Sequence, residues 1–253
     1  MSATDTAAAR RAIGLLDLTD LGAETTADAA AALCERAVAA AVAAVCVWPA
    51  FVDPCARRLA GSGVRVATVV NFPAGTDPAG GVAAVTASAL AAGADEIDVV
   101  LPYRAWLNGD TEAAVDVLAV VREETAGRVM KVIIESGELP GPSTIDRAAM
   151  LAIECGADFV KTSTGKTPVS ATPEAAEIIL EAINVSGRPV GFKASGGIRT
   201  LADARTYLDL ADTIMGPDWA TPATFRFGAS SLLDALEATI AGTAPPGADP
   251  GTY

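Results

Sequence analysis

Histidine is absent from all 253 residues. The usual general base is therefore excluded, and with it every Ser–His or Cys–His nucleophile pair. Acid–base chemistry in this chain must use carboxylates, lysine, tyrosine, cysteine or water. Cysteine is sparse: Cys34, Cys46, Cys55 and Cys155 form no C-x-x-C pair and cannot complete a zinc site without histidine. They read as reduced thiols of a cytoplasmic protein. Positive charge is also short, 18 Lys and Arg against 31 Asp and Glu for a net charge of −13. That balance argues against nucleic acid or an anionic membrane as partner, so any anionic ligand needs a local positive pocket. The longest apolar run, Ala37 to Phe51, is too short to span a bilayer and contains Pro49. The start, Met1 to Arg11, shows no basic-then-apolar signal pattern. Lysine is rarest among the charged types. Only Lys131, Lys161, Lys166 and Lys193 occur, and arginine supplies the other basic residues.

What is present is an alanine-rich chain, 51% hydrophobic, which can build a sizeable core. Strand-like runs bounded by turn residues recur at Ile13–Leu18, Val45–Trp48, Val64–Val70, Glu96–Leu101, Val129–Glu135, Asp158–Thr162, Pro189–Ala194 and Thr213–Met215. Helical patterns lie between most of them: Ala27–Ala43, Gly80–Ala92, Thr111–Thr125, Ser143–Glu154, Pro173–Asn184 and Leu201–Leu208, with a last helix over Leu232–Ile240. Alternation of this kind implies parallel pairing, and eight units in ~250 residues fit a closed (β/α)₈ TIM barrel. An open doubly wound sheet is the alternative, and it lacks a G-x-G-x-x-G after the first strand. The expected organisation is a single α/β barrel domain over residues 1–241. A Gly- and Pro-rich tail, 242–253, follows and is expected to be mobile.

In such a barrel the chemistry gathers where strands end. Lys161 ends the sixth run and Lys193 lies in the seventh, so the two are neighbours; Asp98 of the fourth faces the same mouth. Lys161 either snorkels to a carboxylate or is held partly neutral, and a neutral amine attacks carbonyls. A second cation at Lys193 would favour the neutral form, while Asp98 would balance charge and relay protons. The bland account makes Asp98 a salt-bridge partner only. Lys131 lies deeper and reads as an internal partner for a carboxylate, on one face with Glu135. Gly196-Gly197 after the seventh strand, and Gly228-Ala229-Ser230-Ser231 opening the last helix, suit a phosphate group, with Lys166 as a nearby cation. Equally, Ser230 or Ser231 reads as the cap of that helix, with Asp234 completing an approximate box.

These stretches resemble the 2-deoxyribose-5-phosphate aldolases over almost the whole chain. The resemblance rests on Leu16-Asp17-Leu18-Thr19, Val45-Cys46-Val47-Trp48-Pro49, Asp95 to Val100, Lys131 to Glu135, Phe159 to Lys166, Gly191 to Thr200 and Phe225 to Ser231, in that order. It implies a (β/α)₈ barrel and a class I, Schiff-base aldolase needing no metal or organic cofactor. The substrate class implied is a small phosphorylated sugar and its aldehydes. Lys161 matches the Schiff-base lysine, Lys193 the lysine that perturbs it, and Asp98 the proton-relay aspartate. Phosphate contacts are implied for Thr164, Lys166, Gly196, Gly197, Gly228, Ser230 and Ser231. Asp17 and Trp48, taken to lie at strand ends, are expected to shape the substrate pocket rather than the lysine chemistry. Some members of the family end in a tyrosine on a flexible tail, which makes Tyr253 a candidate for proton transfer. Another Schiff-base aldolase with a different aldehyde pair, or a barrel that only binds sugar phosphates, are the competing functions. A homodimer is compatible with all of them.

Overall fold

The computed structural model describes residues 3–243. The candidate Tyr253 and the rest of the expected tail beyond residue 243 lie outside the described residues.

A helix, α1 (Ala3–Gly14), precedes the barrel. Eight strands then alternate with helices in chain order: β1 (Leu16–Asp20), α2 (Ala27–Ala40), β2 (Ala44–Val47), α3 (Val52–Leu59), β3 (Arg65–Val70) and α4 (Ala79–Ala91). They continue as β4 (Glu96–Val100), α5 (Tyr103–Leu107), α6 (Thr111–Glu124), β5 (Val129–Ile133), α7 (Pro142–Glu154) and β6 (Phe159–Lys161). The last are α8 (Pro173–Ser186), β7 (Gly191–Ser195), α9 (Leu201–Met215), β8 (Phe225–Ala229) and α10 (Leu232–Ala241). The strands pair in sequence order, and β8 closes on β1 through Leu16 opposite Phe227 and Asp17 opposite Gly228. The sheet is thus a closed parallel barrel, as expected. Among the described residues no helix is long and apolar enough to cross a membrane.

Local chemistry explains the helix starts. Thr26, Asp110 and Thr172 each accept a hydrogen bond from the backbone N–H three residues on, and Thr200 with Asp203 forms a reciprocal capping box. Each helix buries one stripe against the strands, as α9 does with Ala204, Tyr207, Leu208 and Ala211. Most of the core lies between sheet and helices, with Val99, Val132, Val160, Phe192 and Phe227 among its buried strand residues. A smaller apolar cluster of Leu21, Cys46, Ala67 and Val69, with Trp48 and Phe72 against it, is formed by β1–β3 and the segments following them.

Three expectations are corrected. Residues 213–215 are the last turn of α9, because the stripe that begins at Ala204 continues through Ala211; the eighth strand is Phe225–Ala229. Ile13 belongs to α1, so the first strand starts at Leu16. The fifth strand stops at Ile133, and Glu135 takes a left-handed conformation (φ 52°), which removes it from the face of Lys131.

Candidate active site

Six neighbouring strands turn charged side chains into the barrel. Register sets Asp98 beside Lys131, Lys161 beside Lys193, and Lys193 beside Arg226. Residues level on adjacent strands face the same way, so these side chains share one interior. Four cations (Lys131, Lys161, Lys193, Arg226) and three carboxylates (Asp17, Glu96, Asp98) are buried together. Asp98 is the hub: one oxygen accepts from Lys131 Nζ at 2.7 Å, the other from Lys161 Nζ at 2.9 Å and Lys193 Nζ at 2.8 Å. Asp17 accepts from Lys193 and from Arg226, each at 2.5 Å. Glu96 pairs with Lys131 at 2.6 Å and with Arg226 at 2.9 Å.

The contacts distinguish the lumen lysines and say which of them is held least firmly. Lys193 holds two carboxylates and Lys131 two at close range, whereas the ion pair of Lys161 is with Asp98 alone among the described residues. Burial lowers the Lys161 pKa, with neighbouring Lys193 acting in the same direction, and the attraction of Asp98 does not make up the loss. Burial would lower Lys193 too, but Asp17 and Asp98 raise it well above the ordinary lysine value. Lys131 is likewise raised, its burial outweighed by Asp98, Glu96 and Asp17. Burial pushes the Asp98 carboxyl up, and Lys131, Lys161 and Lys193 together hold it well below the usual range. Asp17 is lowered in the same way by Lys193, Arg226 and Lys131 against its burial. Of the three lumen lysines, Lys161 is therefore the one that most readily gives up its proton, next to a lysine that keeps one. Such an arrangement can attack a carbonyl and then stabilise the iminium that results.

Lys131 is the internal carboxylate partner anticipated from its depth. Asp17 is not at a strand end: it is the second residue of β1, fully buried, and its carboxylate anchors Lys193. Trp48 follows β2, where its Nε1 donates to the Gly22 carbonyl at 3.0 Å and its ring meets Phe72 edge-on. Arg226 and Glu96 were missed as members of the network. A signal for Arg226 existed, since Phe225 and Phe227 flank it and strand alternation must send the arginine to the opposite face.

At the mouth between β6, β7 and β8 a cavity of about 280 Å³ is lined by Gly165, Thr167, Ser170, Gly196, Gly197, Arg199, Ser230 and Ser231 among others. Four sequence candidates thus converge here: Gly196, Gly197, Ser230 and Ser231. Arg199 adds a cation that residue-level reading had not singled out. Gly196 and Gly197 both have positive φ, 83° and 80°, which suits glycine and turns the backbone tightly under the cavity. Ser231 opens α10 without a side-chain cap bond, and Asp234 pairs instead with Arg36 at 2.5 Å. The other three candidates lie elsewhere. Thr164 is buried, with its N–H donated to Glu135 and its hydroxyl accepting from Lys166 N. Lys166 reaches across to the Leu21 carbonyl at 2.9 Å. Gly228 sits deeper: a Cβ there would lie 2.4 Å from Ser195 Oγ and 3.0 Å from Lys193 Cε, so its bare backbone makes room for Lys193.

Residues 12–238 match the family described as DeoC/LacD family aldolase. The chain belongs to that family. It is an aldolase, a carbon–carbon lyase, and it is 50% identical over 243 residues to the deoxyribose-phosphate aldolase of Agrobacterium fabrum, covering 94% of this chain and 93% of the relative. Among solved structures, an apo-form chain from Toxoplasma gondii ME49, provisionally assigned as a deoxyribose-phosphate aldolase, superposes with a TM-score of 0.87 at 29% identity. The match covers 95% of this chain and 98% of that one. The deoxyribose phosphate aldolase of Aeropyrum pernix, described as tetrameric, shares the fold with a TM-score of 0.77 at 24% identity, over 94% and 98% of the two chains.

Proposed function

We propose that this aldolase catalyses the reversible cleavage of 2-deoxy-D-ribose 5-phosphate to acetaldehyde and D-glyceraldehyde 3-phosphate through an imine on Lys161. The observation that carries the reading is the unequal pairing of the lumen lysines, which leaves Lys161 as the amine least committed to its proton. Neutral Lys161 Nζ adds to the C1 aldehyde of the open-chain sugar, and loss of water gives a protonated imine. Removal of the C3 hydroxyl proton forms the C3 carbonyl and breaks C2–C3, and the electron pair passes into the iminium to give an enamine. Protonation at C2 and hydrolysis release acetaldehyde and regenerate the amine. Asp98 stabilises the cationic imine and, with Lys193, exchanges protons with the substrate. Gly196, Gly197, Ser230, Ser231 and Arg199 hold the phosphate, and Lys166, with Thr164 supporting its turn, adds charge at the rim. Gly228 serves by leaving space for Lys193.

Borohydride reduction in the presence of acetaldehyde, followed by peptide mapping, is expected to place an ethyl group on Lys161, and cleavage of the phosphorylated sugar should release acetaldehyde. Modification confined to Lys193 or Lys166 would overturn the assignment. For Tyr253 the proposal is assistance to proton transfer at C2. Changing it to Phe should slow exchange of the acetaldehyde methyl protons with solvent deuterium while leaving imine trapping intact, and exchange at the unaltered rate removes it from the mechanism.

A further inference from the structure

Away from the barrel mouth, two cysteines meet between neighbouring helices. Cys34 on α2 and Cys55 on α3 are each only 1% exposed, yet both line one cavity of about 400 Å³ between those helices. Small side chains on one stripe of α2, Ala27, Ala30 and Ala31, leave that space open. Exposed Asp28, Arg57 and Arg58 also line it, so it reaches the surface. A small solute entering it therefore comes up against two residues that are otherwise sealed in the core. The Cys34 and Cys55 side chains lie against each other where α2 packs on α3.

We infer that Cys34 and Cys55 form a dithiol that reduces a hydroperoxide entering this cavity, leaving a disulfide that joins α2 to α3. Position and charge together assign the roles: Cys34 also lines a second cavity with Arg58 and Glu35. The hydrogen bond from Cys55, and then the charge of Arg58, lower the Cys34 thiol despite its burial and nearby Glu35, which pairs with Arg58 at 3.7 Å. Cys55 is raised by the same hydrogen bond and by burial, so it keeps its proton until late. Cys34 thiolate attacks the peroxide oxygen, the O–O bond breaks, and hydroxide or alkoxide leaves with a sulfenic acid on Cys34. Cys55 then gives up its proton and attacks the Cys34 sulfur; the S–OH bond breaks, water leaves, and the S–S bond forms. Peroxide is reduced and the two thiols are oxidised. The remaining cysteines lack this arrangement: Cys46 lies in the lumen and Cys155 at the end of α7, and burial raises both. Nothing in this inference depends on the aldolase substrate.

The test is brief exposure of the full chain to hydrogen peroxide, alkylation of residual thiols, and fragmentation of unreduced peptides. Expected is a Cys34–Cys55 disulfide formed before Cys155 is modified, reversed by dithiothreitol. Cys46 shares the tryptic peptide Ala37–Arg57 with Cys55, so fragment ions must assign the bond to Cys55. In Cys55→Ser, a dimedone-trappable sulfenic acid should persist on Cys34. The oxidised unaltered chain should melt at a higher temperature than the reduced chain, since the bond restricts the unfolded state. Alkylatable Cys34 and Cys55 after Cys155 has oxidised, or Cys34 sulfinic acid without the cross-link in the unaltered chain, would overturn the inference.

Discussion

Lys161 and Lys193 are the same residue type on adjacent strands, level with one another and both buried, yet their proton affinities move in opposite directions. The difference is Asp17, which holds Lys193 and not Lys161. Lys193→Met therefore removes a fixed cation beside Lys161 and frees Asp98 to pair with it more strongly. Both changes raise the Lys161 pKa, so more alkaline solution is needed to free the amine. Activity should fall roughly 10²–10⁴-fold, the usual range for lost acid–base assistance, with the ascending limb of the pH–rate profile displaced to higher pH. A profile that keeps its position would mean that Lys193 does not act on Lys161. The Lys161→Met chain should lose borohydride trapping altogether while keeping its circular dichroism spectrum.

At the scale of elements, the turn after β6 connects both halves of the site, since it follows Lys161 and carries Gly165 and Thr167 into the cavity between β6, β7 and β8. Glu135 braces it by accepting from Thr164 N and from the Thr167 hydroxyl at 3.2 Å. If Lys166 serves the phosphate from this turn, Lys166→Ala should raise KM for the phosphorylated sugar roughly 10- to 100-fold, the worth of one charged hydrogen bond, and leave unphosphorylated deoxyribose nearly unaffected. Equal losses on both substrates would remove the residue from phosphate binding. The order of strands and helices was legible because each stripe and cap is local. The eighth strand was not, because Thr213-Ile214-Met215 has strand-like composition while its true state depends on a helical stripe begun at Ala204. Glu135 was misplaced for a similar reason: alternation extends a strand on paper, whereas the chain leaves the sheet after Ile133 and turns left-handed at Glu135 to bring Gly137 tightly against Val169, where a Cβ would fall 2.1 Å from the carbonyl oxygen. In the candidate site, lysines at strand positions could be read from spacing. The role of Asp17 could not, since it depends on β1 meeting β8 across the closure of the barrel.

Across the whole molecule, the scarcity of lysine and the excess of acid acquire a spatial meaning. Three of the four lysines, Lys131, Lys161 and Lys193, are buried in one lumen with Arg226, inside a chain whose net charge is −13. Those cations depend on carboxylates for their stability. Asp17 and Asp98 have folded pKa values lowered below the unfolded value of about 3.9, so their contribution is complete above that value and is lost as pH falls through the folded pKa. Acid should therefore unfold the barrel cooperatively at pH values below about 4, where protonation of these aspartates leaves buried cations uncompensated. Asp17→Asn imposes part of that loss at neutral pH, leaving Lys193 with Asp98 and Arg226 with Glu96. Breaking a buried pair costs about 3–5 kcal/mol, and at roughly 2–4 °C per kcal/mol the melting temperature should drop by about 6–20 °C. Its acid limb should also be shallower, because one of the titrating groups is gone. Adding Arg226→Met removes a cation that Asp17 served, so the double variant should melt above the temperature obtained by summing the two single losses. Strict additivity in calorimetry at pH 7 would show that Asp17 and Arg226 stabilise the barrel independently, and that their ion pair does not couple them.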